Sequence, residues 1–216
     1  MHKVYFQIGT HDGNDGFKDM VKRDKPNIVI LVEPNKELIN SIKKNYNNID
    51  NVYIYNNAIY YNNDEDVELF IPAKNKVLGS RADNGHVYSN VNFSLVPMNN
   101  WGNKDDMVSI ISKSITFDKI CSIHDITNID YLQIDTEGFD SEIIKMIDLS
   151  FYKIKTIRFE KWGFKTDKFT RYNKENSDEL GEVGMKNCID KLTNHNYKII
   201  DIKDAMGNDY LATLME

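Results

Sequence analysis

Apolar positions fall along this chain in short runs of two kinds. Val4-Tyr5-Phe6-Gln7-Ile8 is β-prone and stops at Gly9. Asn27 to Val32 is almost uniformly apolar, as in a strand covered on both faces, and Pro34 stops it. Between them Phe17, Met20 and Val21 recur at helical spacing, which predicts a helix over about 15–23. Leu38, Ile39, Ile42 and Tyr46 predict a second helix over 36–46, and Val52 to Ile59 reads as a third strand. Alternation of this kind is the signature of a doubly wound α/β sheet with helices on both faces.

The pattern loosens over about 64–114. Val67 to Pro72 and Phe93 to Pro97 read as short strands, and Gly79 to His86 reads as a loop. A loop-rich β insertion beside a rigid sheet either shapes a substrate site or is a plain hairpin. Regular alternation then returns. Helices are expected over Thr116 to Ile123, Ser141 to Met146 and Glu182 to Asn194, the last with Val183, Cys188, Ile189 and Leu192 inward. Strands are expected over Ile129 to Ile134, Lys155 to Glu160, Tyr197 to Ile202 and Tyr210 to Met215, with a turn at Ala205-Met206-Gly207-Asn208. The chain thus closes on an antiparallel hairpin.

Composition narrows the classes. At 216 residues and 41% hydrophobic, the chain reads as one domain, 1–216, with a real core and too many apolar residues for disorder. Mean hydropathy is -0.53 and the apolar runs are short, so no membrane span is expected. Gly9 interrupts the first apolar run before a signal-peptide core forms, which predicts a soluble, cytoplasmic protein. Cys121 and Cys188 are too few for a disulfide framework or a cysteine zinc site. The net charge of -6 disfavours nucleic acid as a partner. Lys22-Arg23-Asp24-Lys25, the nearest basic run, reads as a helix end.

Three places carry candidate chemistry. Gln7-Ile8-Gly9-Thr10-His11-Asp12-Gly13 puts two glycines four apart at a strand-to-helix turn. Gly9 permits the sharp turn, and Gly13 is expected to let backbone approach a ligand. The spacing is not the Gly-x-Gly-x-x-Gly of dinucleotide folds, which disfavours a nicotinamide-dependent oxidoreductase. Glu33, ending the next strand, is placed to accept from both hydroxyls of a ribose or to cap the following helix. Asp135, Glu137 and Asp140 crowd the end of an apolar strand in Ile134-Asp135-Thr136-Glu137-Gly138-Phe139-Asp140. Such carboxylates share a proton, bind a cation or accept a substrate proton, and Asp140 reads as a helix-start residue.

These segments, with Asn57-Ala58-Ile59 and Ile115-Thr116-Phe117-Asp118-Lys119-Ile120, occur in the order found in FkbM-type methyltransferases. The resemblance runs from about Val4 to Glu160. It implies a Rossmann-like class I sheet of seven mostly parallel strands with an antiparallel terminal strand. It also implies S-adenosylmethionine as methyl donor and O-methylation of a sugar, glycan or other small molecule. On this resemblance Gln7, Gly9, Thr10, Gly13, Glu33, Pro34, Asn57, Ala58 and Asp135 border the donor, with the ribose on Glu33 and the adenine near Asn57 and Ala58. The family often has an acid where this chain has Gln7 and Asn where it has His11. Gln7 lacks the charge to pair with the ammonium of the donor.

Methyl transfer to oxygen needs alignment and removal of one proton. Asp135 is the expected base or orienting group, with Glu137 beside it and Glu160 as a second candidate. Arg81, His86, Trp101 and Trp162 are further residues that could reach an acceptor. Asp135, Glu137 and Glu160 could instead hold Mg²⁺ through oxygen ligands. The competing class is a catalytically weak nucleoside-binding module serving as a partner subunit.

Overall fold

The computed structural model describes residues 2–72, 107–161, 182–204 and 207–215. Val4–Ile8 (β1), Ile28–Val32 (β2), Val52–Tyr55 (β3), Tyr131–Ile134 (β8), Thr156–Glu160 (β10), Tyr197–Asp204 (β11) and Gly207–Leu214 (β12) form a seven-stranded sheet. Its order is β11-β12-β10-β8-β1-β2-β3. Only β12 runs against its neighbours, inserted between β10 and β11. The closing hairpin read from the sequence therefore sits beside a parallel sheet, as expected. Residues 205–206 of its turn lie outside the described residues.

Strand alternation builds two cores. Val4, Phe6, Ile8, Ile30 and Val32 face one side, where Phe117–Ile123 (α3), Asp140–Met146 (α4) and Glu182–Asn194 (α5) supply Phe117, Ile120, Ile143, Ile144, Cys188 and Leu192. Tyr5, Val29 and Leu31 face the other, against Phe17 and Val21 of Gly16–Asp24 (α1) and Ile42 of Ile39–Asn45 (α2). Each such buried aliphatic or aromatic side chain stabilises the fold by about 1.5–3 kcal/mol. Lys191 of α5 donates to the carbonyls of Ile144, Lys145 and Ile147, tying α5 to the carboxyl end of α4. Val183 departs from the expected inward set: it is exposed. Among the described residues no helix is long and apolar enough to cross a membrane.

Three expected strands or helices are rearranged. The strand predicted over Val52–Ile59 breaks, because Asn56 turns away to donate to the carbonyls of Glu33 and Pro34. Its second part, Ala58–Ile59 (β4), joins Asp66–Pro72 (β5) and Met107–Ile115 (β6) in a separate three-stranded sheet. The strand predicted over Ile129–Ile134 breaks at Asp130, whose carboxylate accepts from Val4 N. Asn128–Ile129 (β7) pairs instead with Lys153–Ile154 (β9). The helix predicted over 36–46 starts only at Ile39, because Asn35 takes Glu37 N and Leu38 N into a turn. The strand expected over Phe93–Pro97, the loop over Gly79–His86, and Arg81, Trp101 and Trp162 lie outside the described residues.

Candidate active site

A cleft of about 280 Å³ opens at the carboxyl edge of the sheet, where β1, β2 and β8 end. That is the usual ligand position in a doubly wound sheet, at the reversal of strand order. Its size is at the small end of the roughly 300–1,000 Å³ typical of small-molecule sites.

Gly9 joins the two halves of the edge. Its φ is +82°, and its N–H and that of Thr10 both donate to the Val32 carbonyl, folding the turn over the end of β2. A Cβ at position 9 would lie 1.8 Å from the Asp135 carbonyl oxygen, so the two backbones meet with no room for a side chain. Gly13 has a different role from the one expected. With φ of +72° it faces Tyr46, whose ring would lie 3.0 Å from an added Cβ. It makes way for α2 and does not border the cleft.

Glu33 is buried beside the end of β2. One carboxylate oxygen accepts from His11 N at 2.7 Å and the other from Asn35 N at 2.8 Å. Burial pushes its carboxyl up to about 7, partly offset by those two bonds. Thr10, Pro34, Asn57 and Ala58 also line the cleft, with Ile59 and Leu69 as apolar wall. Gln7 does not line it. It is buried behind the wall and donates to Asp15 at 2.6 Å.

On the other side stand Asp135, Thr136, Glu137 and Phe139. Glu137 and Gly138 both have positive φ, 54° and 108°. A non-glycine residue in that region stores about 1 kcal/mol or more, a strain that concentrates at functional loops. Asp140 anchors the loop: its carboxylate accepts from Thr136 N, Thr136 Oγ1 and Glu160 N. Asp135 is an exposed residue opening onto the cleft. Burial first, then the charges of Glu137, Asp140, Asp209 and Asp15, raise its carboxyl well above the ordinary range. Because water reaches the cleft, the negative neighbours are the more durable of these causes. Burial also raises Asp140, against the pull of its three donors.

Glu160 is not brought to the cleft. Its backbone N–H serves Asp140, and its side chain is absent from the cleft wall. Among the described residues no three His, Cys, Asp or Glu side chains come together to hold a metal, so Asp135, Glu137 and Glu160 do not form the oxygen set considered for Mg²⁺. Asp12 and Asp15 line the cleft and were not among the expected site residues. Asp15 reads in sequence only as a helix start, and it does cap α1 by accepting from Lys18 N.

Three solved structures with similar folds are remote in sequence. TrmK of M. capricolum, in complex with S-adenosyl-homocysteine, is 14% identical, with 97% of this chain matched to 60% of that one and a TM-score of 0.43. The present chain thus spans less than two thirds of that relative. The O-methyltransferase from Bacillus cereus, in complex with SAH, is 10% identical over 99% and 74% of the two chains, with a TM-score of 0.49. Fibrillarin of Aeropyrum pernix, with bound S-adenosyl-L-methionine, is 10% identical over 98% and 66%, with a TM-score of 0.45. No curated protein matches the sequence. The family comparison is more specific: the Methyltransferase FkbM domain matches residues 7–199, which include Gly9, Glu33 and the Asp135 loop. With the strand order and a cleft at its reversal, that match establishes that the chain belongs to the FkbM methyltransferase family.

Proposed function

We propose that this protein is an S-adenosylmethionine-dependent O-methyltransferase whose acceptor is an uncharged hydroxyl compound, a sugar, glycan or small metabolite. The supporting observation is the pairing of Glu33 and Asp135 on opposite sides of Gly9 in one cleft. The residues suit this donor: it is a cationic nucleoside, and the wall combines carboxylates with the apolar Ala58, Ile59 and Leu69. When bound, S-adenosylmethionine supplies an electrophilic methyl group on a sulfonium. Glu33, held by two backbone donors, keeps lone pairs for the ribose hydroxyls. Asn57, Ala58 and Pro34 border the base end, and Thr10 completes the floor. Asp135 would accept the acceptor hydroxyl's proton while the methyl group passed from sulfur to oxygen and left a neutral thioether, and Glu137 would orient that hydroxyl. A carboxyl raised by its neighbours is better matched to this task near neutral pH than an ordinary one.

The preference for a small neutral acceptor rests on charge. Asp12, Asp15, Glu33, Asp135 and Glu137 line the cleft, and no Lys or Arg does so among the described residues. Such a wall repels a phosphate backbone. TrmK and fibrillarin are therefore guides to fold and not to substrate. The test is methyl transfer from labelled donor to two panels, neutral glycans and small hydroxyl compounds against transfer RNA and ribosomal RNA. Label in the first panel, undiminished by excess EDTA, is expected. Label confined to RNA overturns the acceptor class, and no binding of S-adenosylhomocysteine overturns the reading as a whole.

A further inference from the structure

Gln7 poses a puzzle that the proposed chemistry does not use. It is 1% exposed, it sits on a strand face otherwise packed with apolar groups, and its Oε1 has no partner. An aliphatic side chain would fill that place without stranding an acceptor. What Gln7 does provide is one short bond, Nε2 to Asp15 Oδ2 at 2.6 Å. The other Asp15 oxygen accepts from Lys18 N at 3.1 Å. Asp15 is thus held on both oxygens by neutral donors from two rigid elements, β1 and α1. No cation among the described residues pairs with it, and it faces the cleft. A carboxylate fixed at a cleft wall by neutral donors alone, with no side-chain cation on it, is prepared for a cation brought by a ligand.

The other cleft acids are less suited. Asp12 already accepts from Asn14 N and lies 3.5 Å from His11 Nδ1. Glu33 is buried and belongs to the ribose end. Asp15 shares the cleft wall with Asp135 and is close enough for its charge to act on it. In the donor, the amino-acid tail extends from sulfur away from the nucleoside. With the base end at Asn57 and Ala58, a bound donor would have the remaining wall, which includes Asp135 and Asp15, for its tail. The negative charge of Asp15 also offsets the positive end of α1, which would otherwise disfavour an ammonium there.

We propose that Asp15 is the carboxylate that binds the α-ammonium of the methyl donor, and that Gln7 is a positioning residue which aims it. This rests on the S-adenosylmethionine reading above. It explains how the cleft would hold a cation although position 7 itself carries no charge.

Titration calorimetry on the full chain tests it with three probes: S-adenosylhomocysteine, its analogue lacking the α-amino group, and 5′-methylthioadenosine, which has no amino-acid tail. Asp15→Asn and Asp15→Ser keep a good helix cap while removing the charge. Both are expected to weaken S-adenosylhomocysteine about tenfold to a hundredfold, the scale of a charge-assisted bond. Neither should change binding of the other two probes. Gln7→Leu should show the same selectivity with a smaller loss, about threefold to tenfold. Unchanged methylthioadenosine binding certifies that each variant is folded. If Asp15→Asn and Asp15→Ser leave S-adenosylhomocysteine affinity intact, or weaken all three probes alike, the assignment fails while the donor reading stands. If the unaltered protein binds none of the three, the donor reading fails first.

Discussion

The ends of β2 and β8 offer two acids in similar places with opposite treatment. Glu33 is buried, and both its oxygens are tied to backbone N–H groups. Asp135 opens onto the cleft among other carboxylates, in a loop with two consecutive positive φ angles. Both carboxyls are raised, but for Glu33 the cause is burial, and for Asp135 burial is joined by like charge. The difference teaches that position at a strand end does not by itself assign a role. On the proposed reading, the carboxylate clamped by the backbone holds the ligand in place, and the one surrounded by negative charge takes up the proton.

That contrast is open to attack in several ways. The largest effect is expected for Asp135→Asn: kcat should fall at least about a hundredfold while donor affinity and melting temperature hold. In the unaltered enzyme, kcat/KM should drop on acidification at a higher pH than an ordinary carboxylate would give, because the base must be deprotonated and its pKa is raised. A profile with no acidic limb above the range of an ordinary carboxylate would remove the role of base.

Gly9→Ala strikes the junction of the two ends. The added Cβ meets the Asp135 carbonyl at 1.8 Å and φ is +82°, so about 4 kcal/mol of stability should be lost. A thermal melt would then fall by about 10 °C. Gly13→Ala is expected to cost less, since the side chain it meets is an aromatic ring at 3.0 Å that can shift.

Glu33 gives a smaller signal with an unusual sign. Its folded pKa of about 7 exceeds the ordinary 4.5, so the folded state binds the extra proton between those values. Stability therefore falls as pH rises from about 5 to 7, by about 3 kcal/mol from this group. Urea unfolding across that range should show the slope reduced in Glu33→Gln. The smallest effect is on affinity: Glu33→Gln should weaken 5′-methylthioadenosine about tenfold, through the ribose, at pH 8.

The central strands were legible because they are covered on both faces, so β1 and β2 read as nearly unbroken apolar runs. Strand β6 was not, because its pattern is inverted: Ser112 and Ser114 point inward while Ile111 is exposed. Ser114 is accommodated by bonds to Asn62 O and from Glu65 N, contacts that no periodicity announces. Strand ends and turn chemistry were enough to put Gly9, Glu33 and Asp135 at the edge where the cleft lies. Gly13 was misassigned because a glycine chosen for packing against Tyr46 and one chosen for a ligand have the same sequence signature. Glu160 does not line the cleft, and a strand-end acid gives no sign in sequence of which way it will face. Asp15 escaped because its capping role was sufficient to explain it.

The contact at Gly9 is made by the carbonyl of Asp135, not by its side chain. Residue 9 is thereby confined to one amino acid, whereas residue 135 is held sterically but left free chemically. Its functional group can be exchanged without loosening the seam it helps to close. Related chains could in this way diverge in the reaction they promote while keeping the same architecture.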